Sequence, residues 1–288
     1  MSAFALRRPS SLADVSGQPL AGGTDLVPLV RDGLVEADEL ADVRNLVPRG
    51  IEEMSSPPPA HERGHYHRIG AGTTLAELER SDAIPQALRE ACRLAASPQL
   101  RNMGTLGGNL RQATRCWYWR LHFPCYLHGG DRCHAREGEH REHAIFATQP
   151  CASAHPSDPA ASLLALGATV ETNRRRLPIG DLYRLPTDDD RDVVGLEPGE
   201  LILALEVPTP DASTYLKAMD RKRFSFALVG VAAARFGSEV RFGLAGVAPI
   251  PWPLASVDEL DRAEPLPGTA YKVELARTVV RRASQAVR

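Results

Sequence analysis

The sequence predicts an α+β chain made of two small α/β units followed by a separate α+β unit. Three observations predict it. A strand closed by glycines and followed by a capped helix occurs twice, at residues 18–47 and 68–110. A strongly apolar strand at 200–208 ends the second unit. Strand and helix periodicities then alternate from about residue 214, and a helical stretch runs from about 271 to the end. The expected boundaries are 1–58, 59–210 with an insert at 111–155, and 211–288.

In the first unit Pro19-Leu20-Ala21 leads into Gly22-Gly23-Thr24-Asp25. Leu26 to Val30 opens a helix with Asp25 or Thr24 as N-cap, and 41–46 is a second strand. The three prolines in 55–60 make a loop. In the second unit, Arg68-Ile69-Gly70-Ala71-Gly72 is a strand. Thr73 and Thr74 then cap a helix through Leu75, Leu78 and Glu79, and a further helix covers 84–96. Residues 102–110 read as a strand–turn–strand approach to a ligand. A helix at 159–166 and a strand at 168–172 follow the insert. The last unit reads strand, helix at 226–234, and strand at 240–247.

The chain has 288 residues, 43% apolar and 24% charged, with a net charge of −2. This suits a globular protein of about two ordinary domains and gives no basic footprint for nucleic acid. No apolar run reaches the roughly 18 residues of a membrane span. Arg7-Arg8 is followed by Pro9-Ser10-Ser11, so it is not a twin-arginine signal, and folding in the cytoplasm is expected. Cys92 falls in an apolar helical pattern and reads as a buried small hydrophobe. The other four cysteines, with six of the nine histidines, crowd into 111–155. Soft ligands so concentrated point to a metal site.

Three short motifs bear on ligand binding. Ala21-Gly22-Gly23-Thr24-Asp25 stands at a strand-to-helix turn, where backbone N–H groups can approach a phosphate. It lacks the Gly-x-Gly-x-x-Gly spacing and the Walker lysine, and a plain tight turn would look the same. Thr105-Leu106-Gly107-Gly108-Asn109 suits close approach to a flat or phosphorylated ligand, or a bulge. In His155-Pro156-Ser157-Asp158-Pro159, Asp158 either caps the following helix or bonds a ribityl hydroxyl.

The ordered set AGGTDLVP, GAGTTLAELE, RNMGTLGGN and HPSDPAASLLALGA resembles the FAD-binding medium subunit of the xanthine dehydrogenase, or molybdenum hydroxylase, family. The resemblance covers nearly the whole chain. It implies a PCMH-type FAD-binding fold of two subdomains with a C-terminal domain of the carbon monoxide dehydrogenase flavoprotein type. It implies that Ala21, Gly22, Gly23, Thr24 and Asp25 cradle the FAD pyrophosphate and that Thr73 lines the same cleft. Thr105, Gly107, Gly108 and Asn109 would form the second FAD loop, and Asp158 would bond the ribityl or adenosine side. Ile202 and Lys217 would lie near the flavin. Larger eukaryotic relatives place a phenylalanine against the ring where this chain has Ala95, so any stacking role moves elsewhere.

Between Asn109 and Ser157 stand 47 residues, where simple members of the family run almost directly on. Cys116, Cys125, Cys133 and Cys151 are separated by 8, 7 and 17 residues. Neither a zinc ribbon nor the compact ferredoxin run has that spacing, so spacing alone names no metal. The insert is similar to that of the periplasmic aldehyde oxidase and 4-hydroxybenzoyl-CoA reductase medium subunits, which implies a [4Fe–4S] cluster on the four thiolates. Structural zinc and metal-free thiols are the alternatives. His122, His128, His134, His140 and His143 read as hydrogen-bonding residues rather than ligands.

The resemblance therefore implies an FAD electron-transfer subunit of a heterotrimeric, aldehyde-oxidase-like complex. A large subunit would carry the molybdenum cofactor, and a small [2Fe–2S] subunit would feed this chain. Electrons would leave to an external acceptor, and this chain itself would hold no residue that acts on the organic substrate. Export to the periplasm would require a signal-bearing partner. A stand-alone flavin oxidase of the vanillyl-alcohol oxidase type and a zinc-stabilised interaction module are the rival readings.

Overall fold

The computed structural model of the chain describes residues 4–54, 65–222 and 224–288; the expected loop at 55–60 lies outside them. Three sheets organise these residues. The first joins β1 (Ala5–Arg7), β2 (Gln18–Leu20) and β3 (Glu39–Asp42) in the order β1-β3-β2, all parallel. Helix α1 (Leu26–Arg31) crosses from β2 to β3. Strand β3 begins two residues before the expected 41–46, and Leu40, Ala41 and Val43 are buried there.

The second sheet comprises β4 (Ile51–Met54), β5 (Tyr66–Gly70), β6 (Thr169–Thr172), β7 (Arg176–Pro178) and β8 (Ile202–Pro208), antiparallel in the order β4-β5-β8-β6-β7. Its core face is covered by α2 (Leu75–Arg80), α3 (Gln86–Leu94), α5 (Leu106–Leu110) and α7 (Asp158–Leu166), with α4 (Pro98–Met103) beside α2. Helix α2 starts on a capping box. Thr74 Oγ1 accepts the Glu77 N–H, and Glu77 returns to the Thr74 N–H at 2.8 Å. Thr73 does not cap; its hydroxyl bonds both backbone groups of Gly50.

Residues 102–110 are helical rather than strand–turn–strand. Ser97 caps α4 with Pro98 at the first position, and Thr105 Oγ1 accepts the Gly108 N–H to cap α5. The local capping signals outweigh the glycines. The third sheet holds β9 (Ala212–Ala218), β10 (Val229–Phe236), β11 (Glu239–Ala245) and β12 (Trp252–Leu254), in the order β12-β11-β10-β9. Its second strand overturns the helix expected at 226–234. The run Val-Gly-Val-Ala-Ala-Ala is buried on both faces, so its apolar pattern fits either element, and two flanking ladders decide for strand. Helix α7 packs on one face of this sheet and α8 (Tyr271–Ala286) on the other.

The insert between α5 and α7 contains one short helix, α6 (Trp117–Arg120), and single 3-10 turns. It is bolted to the third sheet. Ile145 and Phe146 both donate to the Val247 carbonyl, and the Phe146 ring stacks on Trp252 at 5.0 Å. Both side chains belong to the core beneath α8.

Candidate functional site

The glycine motifs meet. Leu106 N–H donates to Thr73, Gly107 N–H to Ala71 and Leu75 N–H to Gly104, at 2.8–2.9 Å. Gly107 packs so closely on Ala71 that an added Cβ would lie 2.9 Å from its methyl. Gly22 lies against Met103, where any Cβ would collide with the carbonyl. Gly23 takes φ +69°, the left-handed turn that follows β2. Among the described residues, no acceptor receives the backbone N–H of Gly23, Thr24 or Asp25. Three successive unclaimed donors at a turn form an anion-binding concavity. In the second loop the N–H groups of Leu106, Gly107, Gly108 and Asn109 are already engaged, and exposed Gly108 provides room rather than a donor.

Asp25 stands at the N-cap of α1, yet neither it nor Thr24 caps that helix through its side chain. Its carboxylate reaches into the insert. It pairs with Arg115 at 2.8 Å and Arg120 at 3.2 Å, and accepts the Ala113 N–H at 2.8 Å. No local spacing signals this pairing across some 90 residues.

The Ser157-Asp158 pair anchors the other side. Ser157, not Asp158, caps α7, and its hydroxyl donates to Asn109 Oδ1 at 2.6 Å. Asp158 is fully enclosed: Tyr215 donates to it at 2.5 Å and Lys217 at 2.7 Å, with Lys217 also bonding the Leu94 carbonyl. Burial pushes the Asp158 carboxyl up, opposed by the Lys217 charge and the two hydrogen bonds. The structure thus brings Asp158 and Lys217 to each other. Ile202 is buried at the start of β8, and Ala95 closes α3 within the same core.

The four insert cysteines converge on one small cavity, walled also by Tyr118, Tyr126 and Leu127. Cys116, Cys125 and Cys133 each immediately precede a helical turn, so N–H groups with no partner inside that turn point back at sulfur. Nearby backbone N–H groups pull the thiol pKa values down: those of Trp119 and Tyr118 at Cys116, His128 and Leu127 at Cys125, Ala152 and Ala135 at Cys133, and Ser153 at Cys151. Burial pushes the Cys116 thiol up to about 11. A hydrogen bond from Cys151, with backbone donors, pulls Cys133 down to about 5 and leaves Cys151 protonated well above its ordinary range. Among the described residues, no three His, Cys, Asp or Glu side chains close to the distances of a single ion.

The insert histidines behave as hydrogen-bonding groups. His122, His128, His134 and His140 bond backbone carbonyls. His143 is the one that faces a thiol, with Nε2 at 3.2 Å from Cys116 Sγ. A second cleft adjoins the cysteine cavity, lined by Arg115, Cys116, Trp117, His143, His155 and Phe226. Three of its residues carry buried polar atoms without a partner among the described residues: Arg115 Nε, His143 Nδ1 and His155 Nε2. Burial holds His155 neutral, pushed down to about 3. Cys92, as expected, is fully buried in α3.

Comparison with known proteins places the chain among similar sequences and folds. A family model described as the FAD binding domain in molybdopterin dehydrogenase matches residues 5–210. The aldehyde oxidoreductase FAD-binding subunit PaoB of Escherichia coli K12 is 36% identical over 253 residues, covering 83% of this chain and 77% of that one. The carbon monoxide dehydrogenase medium chain of Afipia carboxidovorans is 36% identical over 118 residues, 37% of this chain and 38% of its own. A structure of reconstituted CO dehydrogenase from Oligotropha carboxidovorans superposes with TM-score 0.68 at 25% identity, covering 99% of this chain and 98% of that one.

Proposed function

Because the chain belongs to the family of FAD-binding domains of molybdopterin dehydrogenases, we propose that it is the FAD subunit of a three-part aldehyde-oxidising complex. One observation carries this reading: the 36% identity to an aldehyde oxidoreductase FAD-binding subunit spans most of both chains, the insert region included. A large molybdenum-cofactor subunit and a small [2Fe–2S] subunit complete the complex.

The residues present fit the two groups the reading requires. The unclaimed N–H groups of Gly23 to Asp25 and the close-packed glycines at 22 and 107 suit a pyrophosphate. Ala21, Thr73, Thr105, Gly108 and Asn109 shape the same cradle, with Ile202, Asp158 and Lys217 behind it. Cys116, Cys125, Cys133 and Cys151 would hold a [4Fe–4S] cluster. When bound, the flavin and the cluster supply the redox chemistry. The protein positions them, keeps water out with the aromatic wall of the insert, and directs N–H dipoles at the sulfurs. The test is anaerobic co-expression with the partner subunits. Flavin and iron should copurify with this chain, and the Cys116→Ser variant should lose iron while retaining flavin.

A further inference from the structure

We propose that His143 is the hydrogen-bond donor that sets the reduction potential of the cysteine-held centre, acting through Cys116. The inference rests on the reading of the four thiols as cluster ligands. Cys116 is the one cysteine that lines both the cysteine cavity and the adjoining cleft. On the cleft side its sulfur meets His143 Nε2 at 3.2 Å. A metal-bound thiolate carries no proton, so only N–H to S donation can join the pair. That places a hydrogen on Nε2; Nδ1 has no partner among the described residues.

The ring is held for this role from two sides. It packs edge-on against Trp117 at 5.2 Å and 81° and is 3% exposed. Its own carbonyl accepts from Lys272 Nζ at 2.8 Å; the same ammonium binds the Glu142 carbonyl at 2.9 Å and that of Gly246 at 2.8 Å. A fully buried lysine on α8 thus clamps the segment that carries the imidazole. The other insert histidines spend their nitrogens on backbone groups. Reduction adds negative charge to a cluster and its thiolates, so an N–H donor stabilises the reduced state more and raises the potential. His143 is a positioning residue in this sense, since it touches the ligand and not the reacting atoms.

The test compares the intact complex in three forms: wild type, His143→Leu and His143→Gln, purified anaerobically. Iron and sulfide content with low-temperature electron paramagnetic resonance comes first. A wild type without iron overturns the cluster reading itself. With iron present, a resonance-monitored redox titration reads the centre. At a fixed poise the Leu variant should hold three- to tenfold less reduced cluster, tenfold being about 59 mV for one electron. The Gln variant, which retains an N–H donor, should stay within twofold, and the flavin midpoint should not move. Equal cluster midpoints in all three forms, or a shift confined to the flavin, overturn the assignment. Should the Leu variant fail to load iron, ¹⁵N-histidine labelling of the wild type decides: a nitrogen coupling to the reduced cluster is expected, and none would overturn it.

Discussion

The glycine cradle and the cysteine insert lie against each other and are built in opposite ways. The cradle is backbone work. Its parts are joined by main-chain bonds among 70–75 and 104–107, and its glycines are required by collisions with neighbouring carbonyls and methyls. The insert has little regular structure and is held by side chains: Asp25 to Arg115 and Arg120, Lys272 to three carbonyls, Phe146 to Trp252. Geometry set by the main chain tolerates few substitutions but is signalled locally. Geometry set by distant side chains is silent in the sequence until the fold brings them together.

The largest expected effect breaks the support behind the cradle. Lys217→Met leaves the enclosed Asp158 carboxylate without its counter-charge, with only Tyr215 bonding it, which costs about 3–5 kcal/mol. Chemical denaturation should show this, and adding Asp158→Asn should restore part of it. Additive losses would mean that the pair is not coupled.

A pH profile probes the junction between the two regions. His155 is held neutral by burial, its pKa down to about 3, against an unfolded value of about 6.5. Between those values the unfolded chain binds more protons, so stability falls as the pH drops below about 6.5. At about 1.36 kcal/mol per pKa unit, His155 contributes a loss of roughly 2–3 kcal/mol between pH 6.5 and 4.5. Replacing it by Gln should flatten the profile by that amount; parallel profiles would contradict its neutral burial.

Gly22→Ala tests the cradle directly. The new methyl meets the Met103 carbonyl, which backbone packing prevents from yielding, and overpacking costs about 1–3 kcal/mol. Bound flavin, read by absorbance, should fall severalfold, whereas Gly180→Ala, where an added Cβ would make only ordinary contact with Leu164 at 3.6 Å, should leave it unchanged. Asp25→Asn sharpens the comparison most gently. It weakens two partly exposed ion pairs worth about 1 kcal/mol together. Faster hydrogen exchange in 113–120 with the third sheet unaffected is the expected signature.

The sequence disclosed the regions in the same unequal way. The Thr74 cap of α2 and the helical stretch of α8 were legible because the signals lie within one turn of the residues they control, whereas Glu77 as the other half of the capping box was not read. The segments 102–110 and 226–234 misled, since glycines suggested extended backbone and an alanine run suggested helix where neighbours dictated otherwise. Resemblance singled out the cradle residues, and it also grouped the four cysteines. Neither spacing nor resemblance gave a role to Arg115, Arg120, Tyr215 or Lys272, because each meets its partner from a remote part of the chain.

On the proposed function, a flavin and a cysteine-held iron–sulfur centre would sit side by side on this chain. Metal analysis, flavin release and the visible spectrum of the anaerobically purified complex test it together. One FAD and a four-iron, four-thiolate centre are expected, with the Cys116→Ser variant losing iron while the flavin stays. A preparation with bound zinc and no iron, or with neither flavin nor iron, would contradict it.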